Sequence, residues 1–230
     1  QFKIFMDDLT LVIPAKKEKE SLPAVLNELK DYTKNISIIL EENDTETIES
    51  ISDFDCQIIY QKNKGYGDAL IQGISSVKTK YFCIFNADGS FNPSELKKMY
   101  DIVTNYNYDL VFGSRYEKNA GSEDDTFITL IGNYFFSFIC KILFKLNISD
   151  ILYTYVLGNT SKTINLNLKQ KDFTFCVELP IKAKINKLKI VSSACYERRR
   201  IGGKKKVNEL HDGFLILIHI LKLFLKFKRP

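Results

Sequence analysis

The chain has 230 residues, 45% of them hydrophobic and 13% aromatic, which excludes disorder and suffices for one large domain, alone or with a small appendage. Its five cysteines (Cys56, Cys83, Cys140, Cys176, Cys195) are scattered and lack CxxC spacing, and its two histidines, His211 and His219, have no cysteine nearby; a disulfide scaffold and a zinc site are excluded, and free thiols in a reducing compartment are expected. The net charge of +5 is modest, but basic residues gather late, at Arg198-Arg199-Arg200, Lys204-Lys205-Lys206 and Lys226-Phe227-Lys228-Arg229, so a phosphate-bearing partner is expected. No aromatic stacking platform or recognition-helix pattern accompanies them, and nucleic acid is not expected. The opening residues carry no signal-peptide pattern.

In chain order, Leu9 to Ile13 reads as a buried strand that Pro14 ends, and Ser21 and Pro23 open an amphipathic helix with Val25, Leu26 and Leu29 on one face. A strand at Ile36 to Leu40 precedes polar residues 41–46 and a short helix, and Gln57 to Tyr60 is a third strand. Asn63-Lys64-Gly65-Tyr66-Gly67 is a turn, followed by a helix from Asp68 to Val77. A strand at Tyr81 to Phe85, a helix opened by Asn92-Pro93 and running to about Asn105, and a strand from Asp109 to Phe112 complete the alternation. Strands alternating with helices predict an α/β fold, Rossmann-like, with a mainly parallel sheet and flanking helices. Ligands in such sheets bind beyond the carboxyl ends of the strands. Those ends are residues 14–18, 41–44, 86–90 and 113–115.

The third of these carries the most information. Asn86 and Asp88, two residues apart at a strand end, point to the same side and can share one hard cation. Mg²⁺ or Mn²⁺ takes oxygen ligands and is commonly held by one or two protein groups together with substrate phosphates.

Beyond residue 120 the pattern changes. Residues 127–146 are rich in Phe, Ile and Leu but interrupted by Asn133, Lys141 and Lys145, and Asp212 to Phe227 is similar around Lys222 and Lys226. Neither is clean enough for a transmembrane span, and both suit amphipathic helices lying in a membrane interface. Core helices or a dimer interface are the other reading of the same composition.

In these motifs the chain resembles the family 2 glycosyltransferases of the GT-A fold, within them the dolichol-phosphate mannosyltransferase or polyprenyl-phosphate glycosyltransferase group. Val12-Ile13-Pro14-Ala15-Lys16-Lys17-Glu18 is similar to the opening V-I-P-x-x-N-E, and Ile38 to Asp44 occupies the place of V-V-D-D-G-S, with glutamates for aspartates. Asn63 to Leu70 is similar to N-x-G-x-G-x-A-L, Asn86-Ala87-Asp88 stands where the family has D-A-D, and Gly113-Ser114-Arg115-Tyr116 matches G-S-R-Y. Arg199 to Lys205 stands where the group has R-x-x-G-x-S-K. Six such segments in order make the likeness specific.

The resemblance implies a nucleotide-sugar-binding core over residues 1–120, an acceptor-side part of the same catalytic domain over 121–209 with an amphipathic helix near 127–146, and a membrane-interface helix over 210–230. It implies that Pro14, Ala15, Glu18 and Glu42 meet the nucleoside, and that Asn86, Ala87 and Asp88 meet the donor, with Asn86, Asp88 and Ser90 around Mg²⁺ or Mn²⁺. Arg115, Arg199 and Lys205 would face the donor diphosphate or the acceptor phosphate, Arg by paired hydrogen bonds and Lys as a point charge. The implied reaction is an inverting transfer from an NDP-sugar (UDP- or GDP-linked) to polyprenyl (dolichyl or undecaprenyl) phosphate. The implied setting is the cytoplasmic face of an anionic membrane, where the protein is peripheral and a homodimer is possible. A transfer to a saccharide hydroxyl, with Asp150 or Glu178 as base, and a noncatalytic nucleotide-sugar-binding protein are the alternatives.

Two segments depart from the pattern. Asn86 replaces the first aspartate of D-A-D and removes a negative charge from the cation site. Asp150-Ile151-Leu152-Tyr153-Thr154-Tyr155 keeps only the Asp of the group's D-x-x-S-G-F, so sugar and acceptor identity stay open.

Overall fold

The computed structural model describes residues 5–202 and 208–228. In chain order it contains β1 (Leu9–Pro14), α1 (Leu22–Leu29), β2 (Ile36–Leu40), α2 (Thr45–Ser50), β3 (Gln57–Tyr60), α3 (Tyr66–Ser76), β4 (Tyr81–Ile84), α4 (Glu95–Asn105) and β5 (Leu110–Ser114). Then follow β6 (Gly121–Ser122), α5 (Phe127–Phe144), β7 (Val156–Asn159), α6 (Thr160–Ile164), α7 (Phe175–Ile185), β8 (Ile190–Ala194), β9 (Tyr196–Glu197) and α8 (Glu209–Lys228). The seven-stranded main sheet has the order β3-β2-β1-β4-β7-β5-β8, and β6 and β9 form a separate pair.

Strand alternation distributes the core over both faces of this sheet. Leu11 and Ile13 of β1 face the layer built from Val25, Leu26 and Leu29 of α1 and Leu96, Met99 and Val103 of α4. Val12 faces the opposite layer, with Leu70 and Ile74 of α3, Phe175 and Leu179 of α7, and Ile216 and Ile220 of α8. Each alternate residue is buried against one layer or the other, so these strands read as continuous apolar runs.

One strand breaks the parallel pattern. β7 lies antiparallel between β4 and β5, and this reversal places the residues before it, Asp150 to Thr154, at the edge where the parallel strands end. β8 then pairs parallel with β5 and delivers residues 196–201 to that edge. The sequence predicts neither strand.

Gly65 and Gly67 explain the turn before α3. Gly65 has φ +123°, and a Cβ there would lie 2.0 Å from the carbonyl oxygen of Lys171. At Gly67 a Cβ would lie 2.2 Å from the Gln170 carbonyl, so residues 170–172 pack directly on the glycine backbone. Asp68 fixes the turn by accepting from the Asn63 amide nitrogens. Gly65→Ala combines a left-handed conformation with a backbone clash, and it is expected to lower unfolding stability by about 2–4 kcal/mol, read as a lower urea midpoint.

α5 corrects one expectation: at 18 residues it is long and apolar enough to cross a membrane. It begins at an N-cap where Thr126 accepts from the Thr129 amide, and its buried stripe is Asn133, Phe136, Ser137 and Cys140. The remaining face exposes Ile128, Ile131, Phe135, Phe138 and Ile142. α8 packs beside it and beside α7, burying Ile216, Ile220 and Leu223 while exposing Phe214, Leu221 and Leu225.

Candidate active site

A cavity of about 980 Å³ opens at the carboxyl ends of β1, β2, β4 and β5 and runs on between α5 and α8. Its walls change character along its length. The sheet end is polar, with Glu18, Asp88, Arg115, Asp124 and Arg200; α5 and α8 add the apolar Ile128, Ile131, Phe135, Phe214 and Leu217, with the carboxylates Glu209 and Asp212 in the first turn of α8.

The first loop builds one side. Pro14, Ala15 and Glu18 line the cavity, as expected. Ala15 donates its amide to the Ile39 carbonyl, and Lys17, at φ +55°, donates its amide to Asp44. Glu18 is buried, its carboxylate accepting from the Ser21 hydroxyl at 2.8 Å and its amide donating to Thr47. A carboxylate held so firmly presents a fixed acceptor to a sugar hydroxyl. Glu41 rather than Glu42 faces this cavity and pairs with Lys16 at 2.9 Å; Glu42 is exposed and borders a smaller pocket with Asn43 and Lys62. Glu41 borders that smaller pocket as well, and Glu42, the residue expected at the nucleoside, stands outside the main cavity wall.

The β4 turn builds the floor. β4 ends at Ile84, and Asn86, Ala87 and Asp88 all line the cavity from the turn beyond it. Gly89, at φ +83°, turns the chain, and Asp88 Oδ1 accepts from the Ser90 amide at 3.0 Å. Ser90 is buried behind the turn, in contact with the Asn86 amide nitrogen at 3.4 Å, and does not line the cavity. It supports the turn and is not placed to bind a cation there, a correction to the expected set of three.

The segment after β9 lies over this turn. Arg198 donates its amide to the Ser90 carbonyl and Ile201 to that of Asp88, while the Arg198 guanidinium holds Glu28 and the carbonyls of Gly89 and Phe91. Of the two following arginines, Arg199 is exposed and outside the cavity, whereas Arg200 lines it. Arg200 bridges two carboxylates: its Nε is 3.2 Å from Asp124, and its Nη1 is 3.7 Å from Asp88 Oδ2. The hydrogen bond to Asp124 raises its pKa against the cost of burial, with Asp88 adding to the effect. The structure thus places Arg200 in the cavity wall, where the sequence pointed to Arg199. Lys205 lies outside the described residues.

Arg115 is buried, and its Nε and Nη2 donate to Asp150 at 2.8 and 3.0 Å while Nη1 donates to Glu197 at 3.1 Å. Burial opposes its charge, but Asp150 and Glu197 outweigh that and hold its pKa well above the usual value. Burial likewise pushes the Glu197 carboxyl up, with Arg115 and Ser122 pulling it down. Asn133 of α5 donates to Asp150 as well. Held by two carboxylates, Arg115 is a strut joining β5, β9 and the loop before β7, and it also stands in the cavity wall. Tyr153, whose ring lies 4.6 Å from the Arg115 guanidinium, completes the wall; burial keeps its phenol protonated.

Among the described residues, eight acidic and three basic side chains line the cavity. Such a wall repels a diphosphate unless a cation accompanies it, and Asp88 with the Asn86 amide offers the oxygen donors that Mg²⁺ or Mn²⁺ prefers. The residues present therefore fit a divalent ion. Among the described residues no group of three His, Cys, Asp or Glu forms a cage, so most of the coordination shell would come from the diphosphate and water.

Comparisons with known proteins agree with this architecture. The model of Glycosyl transferase family 2 matches residues 10–165. An uncharacterized glycosyltransferase of Mycobacterium tuberculosis (strain ATCC 25618 / H37Rv) is 24% identical over 213 residues, covering 92% of this chain and 95% of that protein. The UDP-N-acetylglucosamine–dolichyl-phosphate N-acetylglucosaminyltransferase of Methanococcus voltae is 25% identical over 204 residues, covering 78% and 81%. Glucosyl-3-phosphoglycerate synthase of Mycobacterium tuberculosis, solved with Mn²⁺, UDP and phosphoglyceric acid, superposes with a TM-score of 0.73 at 12% identity over 94% of this chain and 78% of that one; the same enzyme is also solved with Mg²⁺ and UDP. At that identity the likeness is one of fold, and the fold is GT-A.

Proposed function

Because the chain belongs to glycosyl transferase family 2, we propose that it moves a sugar, with inversion, from a UDP- or GDP-sugar to the phosphate of a polyprenyl (dolichyl or undecaprenyl) phosphate, as a peripheral protein on the cytoplasmic face of a membrane. The observation that carries this reading is one continuous cavity that is oxygen-rich at the sheet and walled mainly by apolar side chains between α5 and α8. A nucleoside diphosphate suits the first and an isoprenoid chain the second. The name of the Methanococcus voltae relative supports the same pair of substrates and makes UDP-N-acetylglucosamine the first donor to test.

Pro14, Ala15 and Glu18 hold the nucleoside, and Asn86, Ala87 and Asp88 lie along the diphosphate. Asp88 with Asn86 would hold Mg²⁺ or Mn²⁺, which supplies charge stabilisation for the departing diphosphate. An acceptor phosphate oxygen forms the new bond to C1 as the bond from C1 to the diphosphate oxygen breaks, and the electron pair leaves with the nucleoside diphosphate. The nucleophile is already ionised at neutral pH, so no strong base is required. Transfer to a hydroxyl would need one, and both carboxylates the sequence offers for that role are engaged elsewhere: Asp150 by Arg115, and Glu178 by Lys182 and the amides of Lys169 and Gln170. Recovery of labelled sugar in an organic extract, after incubation of protein, Mn²⁺, UDP- or GDP-sugar and polyprenyl phosphate, tests the proposal; label that stays in the aqueous phase as transferred sugar contradicts it.

The exposed faces of α5 and α8 give the membrane part of the reading its own test. Apolar insertion adds to attraction between basic residues and anionic lipid of about 1 kcal/mol per residue near the surface. The protein is expected to sediment with anionic liposomes at low salt and less completely at high salt, since only the electrostatic part is screened. Because α8 also buries core residues, substitution is a cleaner probe than deletion: Phe138→Ser, Leu221→Ser and Leu225→Ser together are expected to weaken liposome binding by tenfold or more without unfolding. An intact chain that stays in the supernatant at low salt would reassign these faces to a dimer interface.

A further inference from the structure

We propose that Arg200 makes cation binding at Asp88 depend on the donor: it opposes a divalent ion alone and cooperates with one that arrives with a diphosphate. The inference rests on the donor reading above only for its second half.

The backbone fixes Arg200 beside Asp88. The Ile201 amide donates to the Asp88 carbonyl at 2.7 Å and the Arg198 amide to the Ser90 carbonyl at 2.8 Å, so the segment lies along the β4 turn on two hydrogen bonds. The Ile201 side chain covers Gly89 closely enough that a Cβ there would lie 2.6 Å from its Cδ1. Arg200 therefore cannot withdraw far without breaking these contacts. Its guanidinium reaches two carboxylates, Asp124 at 3.2 Å and Asp88 at 3.7 Å, both partly shielded, with side chains 20% and 18% exposed.

Asp88 would hold a divalent ion through a carboxylate oxygen. Arg200 Nη1 already stands near Oδ2 of that group, so two cations would compete for one charge. Asn86 worsens the competition, because it is neutral where a second carboxylate at this strand end would help to hold both. A diphosphate removes the conflict: its oxygens accept from the guanidinium and ligate the ion at once, and Asp124 keeps Arg200 oriented. The same residue thus disfavours the bare ion and favours the ion–diphosphate pair. A carboxylate-lined cavity gains selectivity from this, since free divalent cations do not fill it ahead of the donor.

The test is Mn²⁺ binding by the full chain, followed by electron paramagnetic resonance or calorimetry, without and with UDP. In the unmodified protein UDP is expected to tighten Mn²⁺ binding by tenfold or more. Arg200→Ala is expected to tighten Mn²⁺ binding without UDP by about tenfold and to shrink the gain from UDP, while Arg200→Lys retains most of the coupling. Asp124→Asn, which loosens the second hold on Arg200, is expected to weaken Mn²⁺ binding without UDP. Unchanged or weaker Mn²⁺ binding by Arg200→Ala in the absence of UDP overturns the proposal whatever the donor is. If that arm succeeds while neither UDP nor GDP changes Mn²⁺ affinity, the opposition stands and the donor reading falls.

Discussion

Asp88→Ala is expected to lower sugar transfer by about a thousandfold or more while the protein stays folded. Asp88 is the carboxylate of the β4 turn that faces the cavity, and it supplies the charged ligand of a site whose other side chain, Asn86, is neutral. Removing a group that stabilises leaving-group charge in a shielded site commonly costs two to three orders of magnitude, about 4 kcal/mol at 1.36 kcal/mol per decade. Loss of the ion with it adds to the effect. The structural cost is small by comparison: the Ser90 amide loses an acceptor, about 1 kcal/mol. Asp88→Asn keeps an oxygen for that amide and separates the two effects. Near-normal turnover by Asp88→Ala with Mn²⁺ present would show that the cation site lies elsewhere.

Asp150→Ala is expected to act on stability instead, lowering it by about 3–5 kcal/mol. The Asp150 side chain is fully buried and accepts from the backbone amide, Nε and Nη2 of Arg115 and from Asn133. Removing one member of a buried ion pair leaves the other without its main counter-charge, and losses of this size are typical. Glu197 and Asp125 remain near the guanidinium, so the lower half of that range is favoured. A urea midpoint that falls without a change in slope reads the effect as stability rather than a changed unfolded state. A loss below about 1 kcal/mol would mean that Arg115 does not depend on Asp150.

The first half of the fold was legible because its strands are continuous apolar runs closed by turn residues, the pattern that burial on both faces demands. β7 and β8 were not. Val156-Leu157-Gly158-Asn159 is short and has a glycine, where a Cβ would meet the Asp109 carbonyl at 2.9 Å, and Ile190-Val191-Ser192-Ser193-Ala194 carries two serines at the sheet's edge. Their place in the sheet comes from long-range pairing, which local pattern does not report.

Within the site, strand alternation pointed to Asn86 and Asp88, but both stand in the turn beyond β4, where Ala87 between them lines the cavity as well. Arg199 and Arg200 illustrate the opposite case, for in an extended segment adjacent residues face opposite sides and a shift of one exchanges them. Glu41 and Glu42 differ because the chain turns there, with the Asp44 amide donating to the Glu41 carbonyl. The carboxylate partners of Arg115 were hidden for a different reason: a guanidinium suits phosphate and carboxylate equally well, and Asp150, 35 residues away in sequence, meets it only because β7 runs antiparallel.

Competition between acceptors decides whether the sugar goes to the phosphate oxygen of a polyprenyl phosphate. The full chain is given an NDP-sugar it binds, Mn²⁺, and equal amounts of polyprenyl phosphate, the corresponding polyprenol and a soluble saccharide, and the products are identified by mass spectrometry. The predicted result is a lipid-linked monosaccharide joined through one phosphate, with nucleoside diphosphate released in equal amount. Sugar found on the polyprenol or the saccharide, with the polyprenyl phosphate unchanged, would contradict it.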